Sequence, residues 1–293
     1  MHTTLISAAE LARLLATPSN APGVRVFDCS FDLMHPALGG EQFEQAHIPG
    51  ATHAHLDQHL SAHGGRVAAG TAASGGRHPL PTREAFAHWL GRMGVGNGTQ
   101  VVVYDRNGMN YAGRLWWMLK WCGHEAVAVL DGGLQAWTAA GETVASGPAC
   151  GTPAPQPFAL NAPAAALVDT ATVHARLGQP GQTVLDARAA PRYRGEVEPL
   201  DPIAGHIPGA LNRPFATNLG TDGLFKPTAT LRLEFEAMLA GRDPASVVHH
   251  CGSGVSAVPN LLAMELAGLG RQALYAGSWS EWSNTPGLPV ERG

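Results

Sequence analysis

Three landmarks occur twice in this chain, in the same order, and that duplication limits the fold more than any other feature. AHIPGA (46–51) returns as GHIPGA (205–210), VVVYDRNG (101–108) as VVHHCGSG (247–254), and VLDGGLQAW (129–137) as LYAGSWSEW (274–282). A chain of 293 residues suits two domains of roughly 150 residues each. The repeats make those domains two copies of one architecture. We place the first domain over 1–146, a linker rich in Pro and Ala over 147–163, and the second domain over 164–293.

Each copy alternates short apolar runs with amphipathic ones. In the second copy TVLDA (183–187) and SVVHH (246–250) read as buried strands, while 230–240 and 258–268 read as helices. Such alternation predicts an α/β fold: in each copy a mostly parallel sheet with helices on both faces. Ligands in such sheets gather beyond the carboxyl ends of the strands, which puts Asp28, Asp105, Asp186 and Cys251 in the functional region of their copies. His47 and His206 lie 159 positions apart, but Asp105 and Cys251 only 146, so the first copy holds 13 extra residues between these landmarks. The Gly-rich stretch HLDQHLSAHGGRVAAGTAASGGRHPLP (55–81), which carries Asp57 and His78, is their natural place, and loops of that length inside domains are often functional.

Composition narrows the function. The charged share is 14%, the formal net charge −4, and no run of like charges occurs, which argues against nucleic acid or an anionic membrane as a partner. No stretch approaches the roughly 18 apolar residues of a membrane span. The N-terminus shows no signal-peptide pattern; Ser7 and Glu10 instead read as a capping box opening a helix. Cys29, Cys122, Cys150 and Cys251 are scattered and form no CxxC, so a cytoplasmic setting with free thiols is expected. The 14 histidines show no ligand spacing, and we expect no metal; His47 and His206 are read as holding the turn before a strand. Trp116, Trp117, Trp137 and Trp282 are read as packing residues.

Cys251 is the candidate nucleophile. It follows a strand and opens the loop CGSGVSA, which runs into a helix with Pro259 near its start. Backbone N–H groups of Gly252, Ser253, Gly254, Val255 and Ser256 can converge on an anion there, aided by the helix N-terminus. Two rival chemistries fail on spacing. A cysteine phosphatase needs an arginine six positions on, where Ala257 stands, and a serine-hydrolase elbow around Ser253 needs Gly where Cys251 stands.

The paired HIPGA segments, DARAAPRYRG (186–195) and the loop at Cys251 together resemble tandem rhodanese domains over nearly the whole chain. The resemblance implies a sulfurtransferase with an inactive first copy, where Asp105 takes the cysteine's place, and no cofactor beyond a persulfide carried on Cys251. CGSGVSA is similar to the CGSGVTA loop of 3-mercaptopyruvate sulfurtransferases, with Ser256 in place of threonine; relatives that prefer thiosulfate resemble CRKGVT. A neutral loop suits a monocarboxylate better than a dianion, so 3-mercaptopyruvate is the expected donor and thiosulfate the alternative. A small thiol, thioredoxin or cyanide is the acceptor that the resemblance implies, and a monomer is expected. A sulfur-binding module without catalysis is the reading from another class, against which the intact Cys251 loop counts.

Arg192 matches the family's R-[YF] motif and is expected to hold the donor's carboxylate, unless it only pairs with Asp186 or Glu196. A second substrate arginine, found in a PEPR-like stretch of many relatives, is missing from EPLDP (198–202), so either Arg188 or Arg194 substitutes or carboxylate binding is weaker. Asp57 and His78 match an aspartate and a histidine proposed in relatives to form a proton relay with the loop serine, here Ser253.

Overall fold

The computed structural model describes residues 1–17, 23–62, 72–149, 151 and 153–293. Part of the Gly-rich stretch (63–71) and Cys150 of the linker therefore lie outside the described residues. The described residues form two compact units. The first takes in most of the chain up to Ala164 together with 222–224, the second the remainder together with Ala72–Leu80.

The first unit is built on strands β1 (Leu5–Ile6), β2 (Val24–Asp28), β3 (Thr52–His53), β4 (Gln100–Tyr104) and β5 (Val127–Leu130). The second is built on β6 (Ala166–Val168), β7 (Thr183–Asp186), β8 (Leu211–Asn212), β9 (Val247–His250) and β10 (Ala273–Tyr275). Their orders are β1-β5-β4-β2-β3 and β6-β10-β9-β7-β8, the same topology twice, and every pairing is parallel. Duplicated sequence has produced duplicated topology.

Parallel strands must be covered on both faces, and the alternation of side chains shows how. In the second sheet Val184 and Val248, which are partners in register, point to one face with Val173, Ile207, Trp279 and Trp282. Leu185 and Val247 point to the other, against Leu231, Phe235 and Leu239 of the helix Thr228–Leu239 and Ala263 and Met264 of the helix Val258–Leu266. In the first sheet Val26, Val102 and Ala128 pack with Leu11, Phe43 and Trp137 on one side. On the other, the helix Ala112–Trp121 is buried along its whole length against β4 and β5.

Local expectations hold where the chemistry is local. Ser7 and Glu10 form the capping box: the Glu10 N–H donates to Ser7 Oγ at 3.3 Å and the Ser7 N–H to Glu10 Oε2 at 2.9 Å. His47 and His206 bond the carbonyls of Phe43 and Tyr193 through Nδ1, each at 2.8 Å, and stack on those same rings. The indole N–H groups of Trp137 and Trp282 each donate to a carbonyl just beyond their own helix, that of Thr143 and that of Pro289. No described helix is long and apolar enough to cross a membrane.

Candidate active site

Cys251 lies one residue beyond β9 and is buried, with 1% of its surface exposed. The loop it opens can have only its present shape with glycine at 254: φ there is +72°, and a β-carbon would fall 2.4 Å from the Ala276 carbonyl oxygen. The helix Val258–Leu266 follows, with Pro259 in its first turn, where a missing N–H leaves no bond unmade.

The first copy shows what this loop is built to hold. Asp105 stands where Cys251 stands in the second, and its carboxylate accepts four backbone N–H groups: Asn107 (2.8 Å) and Met109 (3.0 Å) on Oδ1, Tyr111 and Ala112 (both 2.8 Å) on Oδ2. Burial pushes this carboxyl up, against the pull of those four donors. At the same spacing from Cys251 come Ser253, Val255, Ala257 and Val258. The Val258 N–H donates to the Val255 carbonyl, whereas among the described residues those of Ser253, Val255 and Ala257 have no protein acceptor. One loop carries its own anion; the other carries a thiol in the corresponding place.

The backbone of Cys251 is pinned by a residue that sequence reasoning missed. Ser278 Oγ accepts the Cys251 N–H at 3.1 Å and donates to the Tyr275 carbonyl at 2.9 Å. Ser278 is buried and sits in the left-handed region at φ +55°, a conformation unusual for a non-glycine residue. The first copy has Gly133 there, at φ +58°. A serine kept where glycine would be easier is the signal that could have marked it.

His78, from the segment 72–80 that packs with the second unit, is buried, and its Nδ1 meets Ser253 Oγ at 2.7 Å. Asp57, the third expected member of that group, belongs to the first unit, on the short helix Leu56–His59, where its N–H donates to His55 Nδ1.

The arginines form an alternating ladder of charge. Arg188 grips buried Asp186 through Nε (3.0 Å) and Nη2 (2.7 Å), reaches Glu198 and the Gly205 carbonyl, and stacks on Trp279. Burial alone would raise the Asp186 carboxyl, but His250 and Arg188 outweigh it and hold it below the usual range. Arg192 is paired neither with Asp186 nor with Glu196: its Nε and Nη2 engage Glu198 (3.3 and 2.7 Å), and Nη2 also reaches Asp201 (3.3 Å). Arg194 pairs with Glu196 on the surface. Asp201 is also held by Arg77, at 2.9 and 3.3 Å. Arg77 stands beside His78, far in sequence from EPLDP, and nothing local in the sequence marks its meeting with Asp201.

A duplicated parallel α/β protein in which one strand-end loop bears a buried cysteine and its twin a carboxylate is the class these features define. Comparison with known proteins makes that class particular. The Rhodanese-like domain family matches residues 7–140 and 169–285. The chain is 46% identical over 98% of its length to the whole of a probable 3-mercaptopyruvate sulfurtransferase from Pseudomonas aeruginosa. It is 39% identical over 99% of its length to 97% of a putative thiosulfate sulfurtransferase, SseB, from Mycobacterium tuberculosis. The solved structure of SseA from Escherichia coli, a 3-mercaptopyruvate sulfotransferase of rhodanese fold, superposes with a TM-score of 0.76 at 30% identity, covering 95% of this chain and 100% of that one. The chain belongs to the rhodanese family.

Proposed function

We propose that this protein is a sulfurtransferase that moves sulfur from 3-mercaptopyruvate, through a persulfide on Cys251, to a thiophilic acceptor. The observation that carries the reading is the contrast between the two loops: four amides hold the carboxylate of Asp105, while at the same spacing from the thiol of Cys251 the N–H groups of Ser253, Val255 and Ala257 have no protein acceptor among the described residues. An outer persulfide sulfur is an anion on a short stem, and those amides suit it.

The Cys251 thiolate attacks the donor sulfur, the bond from that sulfur to the methylene carbon breaks, and its electron pair leaves on the carbon as the enolate of pyruvate. The donor's thiol proton ends on that carbon, giving pyruvate, and Cys251 keeps the sulfur as a persulfide. We assign the passage of this proton to the Ser253–His78 pair, whose 2.7 Å contact supports that role with either ring tautomer. An acceptor such as a small thiol, thioredoxin or cyanide then takes the outer sulfur and returns the Cys251 thiolate, a covalent relay of the ping-pong kind. Arg192, with Nη1 directed to the loop, is the proposed carboxylate ligand. The described cysteines 29, 122 and 251 are free thiols, which suits a cytoplasmic, reducing setting.

Thiosulfate is the second donor to consider, because SseB of Mycobacterium tuberculosis is described as a putative thiosulfate sulfurtransferase. The loop 251–257 carries no basic side chain, and the guanidiniums near it are matched by Glu198 and Asp201, an arrangement better suited to a monoanion. Steady-state kinetics with both donors test the reading. kcat/KM should favour 3-mercaptopyruvate by at least about tenfold, or about 1.4 kcal/mol, and a preference for thiosulfate would overturn the donor assignment.

A further inference from the structure

The family's second substrate arginine has no counterpart in EPLDP, and neither Arg188 nor Arg194 is placed to replace it. Arg188 is 2% exposed and engaged by Asp186, Glu198 and a carbonyl, and Arg194 faces solvent with Glu196. Two other guanidiniums flank the residue next to the nucleophile. A β-carbon built on Gly252 would lie 3.5 Å from Arg192 Nη1 and 3.6 Å from Arg77 Nη2. Their side chains are 20% and 25% exposed, so both are half-open to a ligand, whereas the carboxylates behind them are buried, Glu198 at 3% and Asp201 at 2%.

Asp201 joins the two. One of its oxygens accepts from Arg77 Nη1 at 2.9 Å, and the other from Arg192 Nη2 and Arg77 Nη2, each at 3.3 Å. Arg77 is further fixed by the Leu200 carbonyl (3.2 Å) and by its own N–H, which donates to Ser280 Oγ at 2.9 Å. Ser280 in turn donates its N–H to the Gly252 carbonyl at 2.8 Å, so Arg77 and the Cys251 loop are tied to one post. The bonds of Arg192 to Glu198 and Asp201 use Nε and Nη2, which leaves Nη1 toward Gly252.

We infer that Arg77 is the second carboxylate-binding arginine: with Arg192 it forms a clamp for the carboxylate of a keto-acid donor, and Asp201 holds the two guanidiniums in register. This rests on the donor reading above. In 3-mercaptopyruvate two carbons separate the carboxyl carbon from the sulfur, so a carboxylate held beside Gly252 leaves the sulfur within reach of Cys251. Arg77 stands 124 positions before Asp201, in the segment of the first repeat that carries His78, so the stretch 72–80 supplies both a proton-handling group and a charge.

The test uses the full chain and four forms: wild type, Arg77→Lys, Arg77→Ala, and Arg77→Ala combined with Asp201→Asn. KM and kcat for 3-mercaptopyruvate and the Ki of pyruvate as a competitor are measured for each. Arg77→Ala should raise KM and Ki by about 10- to 100-fold, the loss of one or two charge-assisted hydrogen bonds, with kcat within about threefold. Arg77→Lys, which keeps the charge and loses the fork, should fall between and guards against a folding defect in the alanine form. The double variant decides the cause, because it removes the unpaired carboxylate together with the arginine. If KM and Ki stay raised in it, Arg77 is a ligand; if they return to wild-type values, Arg77 only neutralises Asp201 and the inference is wrong. Unchanged constants in Arg77→Ala would overturn it as well. A wild-type preference for thiosulfate would sink the donor reading instead, and the pyruvate Ki, taken against either donor, would still read the clamp.

Discussion

The ring of His78 and the hydroxyl of Ser253 meet at 2.7 Å although 175 positions separate them, and both are buried. In the proposed mechanism this pair passes a proton as one unit. His78→Ala should therefore lower kcat with 3-mercaptopyruvate by about 10- to 1000-fold, the range of lost acid–base assistance. Ser253→Ala should do the same, and the double variant should fall no more than about threefold below the worse single, because the two act together. Losses that multiply in the double variant would separate their roles.

Asp105 should act on stability. Its removal leaves four N–H groups without their acceptor, three of them buried, so Asp105→Ala should cost about 2–5 kcal/mol in urea unfolding. A loss below about 0.5 kcal/mol, the range of ordinary surface changes, would mean the loop does not depend on its internal anion.

Ser278 offers a cleaner separation of positioning from folding. Ser278→Gly suits φ +55° but deletes the oxygen that holds the Cys251 N–H. The melting temperature should stay within a few degrees while kcat drops about tenfold at unchanged KM, since a nucleophile out of line slows chemistry without weakening binding. Equal changes in stability and rate would make Ser278 a structural residue only.

His249 governs part of the response to acid. Its imidazole is fully buried and lies beside His250; burial first, then that neighbour, pushes its pKa down to about 3. Neither ring nitrogen has a hydrogen-bond partner among the described residues. The unfolded chain takes up a proton near pH 6.5 that the folded one refuses until about pH 3, so this residue lowers stability as pH falls through that window, and has no such effect above it. His249→Leu should remove about 1.4 kcal/mol per pH unit from the acid slope of the unfolding free energy between about pH 6 and 4. An unaltered slope would show that His249 titrates normally in the fold.

Much of this was legible in the sequence because it is local or repeated. The duplicated landmarks gave two sheets of identical order, and the strands near 183–187 and 246–250 fall within one residue of their expected ends. The loop of Cys251 could be read because strand, glycine and helix signals adjoin one another. What could not be read depends on distant contacts. Arg77 reaches Asp201 and Ser280 across 124 and 203 positions, and no periodicity encodes such a meeting. Arg192 turned to Glu198 and Asp201 because a short helix, Ala190–Tyr193, sets the direction of its side chain, whereas composition alone made Asp186 and Glu196 equally good partners.

The residue that takes up the sulfur decides the function. Full-length protein is incubated with 3-mercaptopyruvate, and the cysteine peptides are weighed by mass spectrometry without reduction. One added sulfur on the peptide of Cys251, absent in Cys251→Ser, is the predicted result. Sulfur on Cys29 or Cys122 instead, or its persistence in Cys251→Ser, would contradict it.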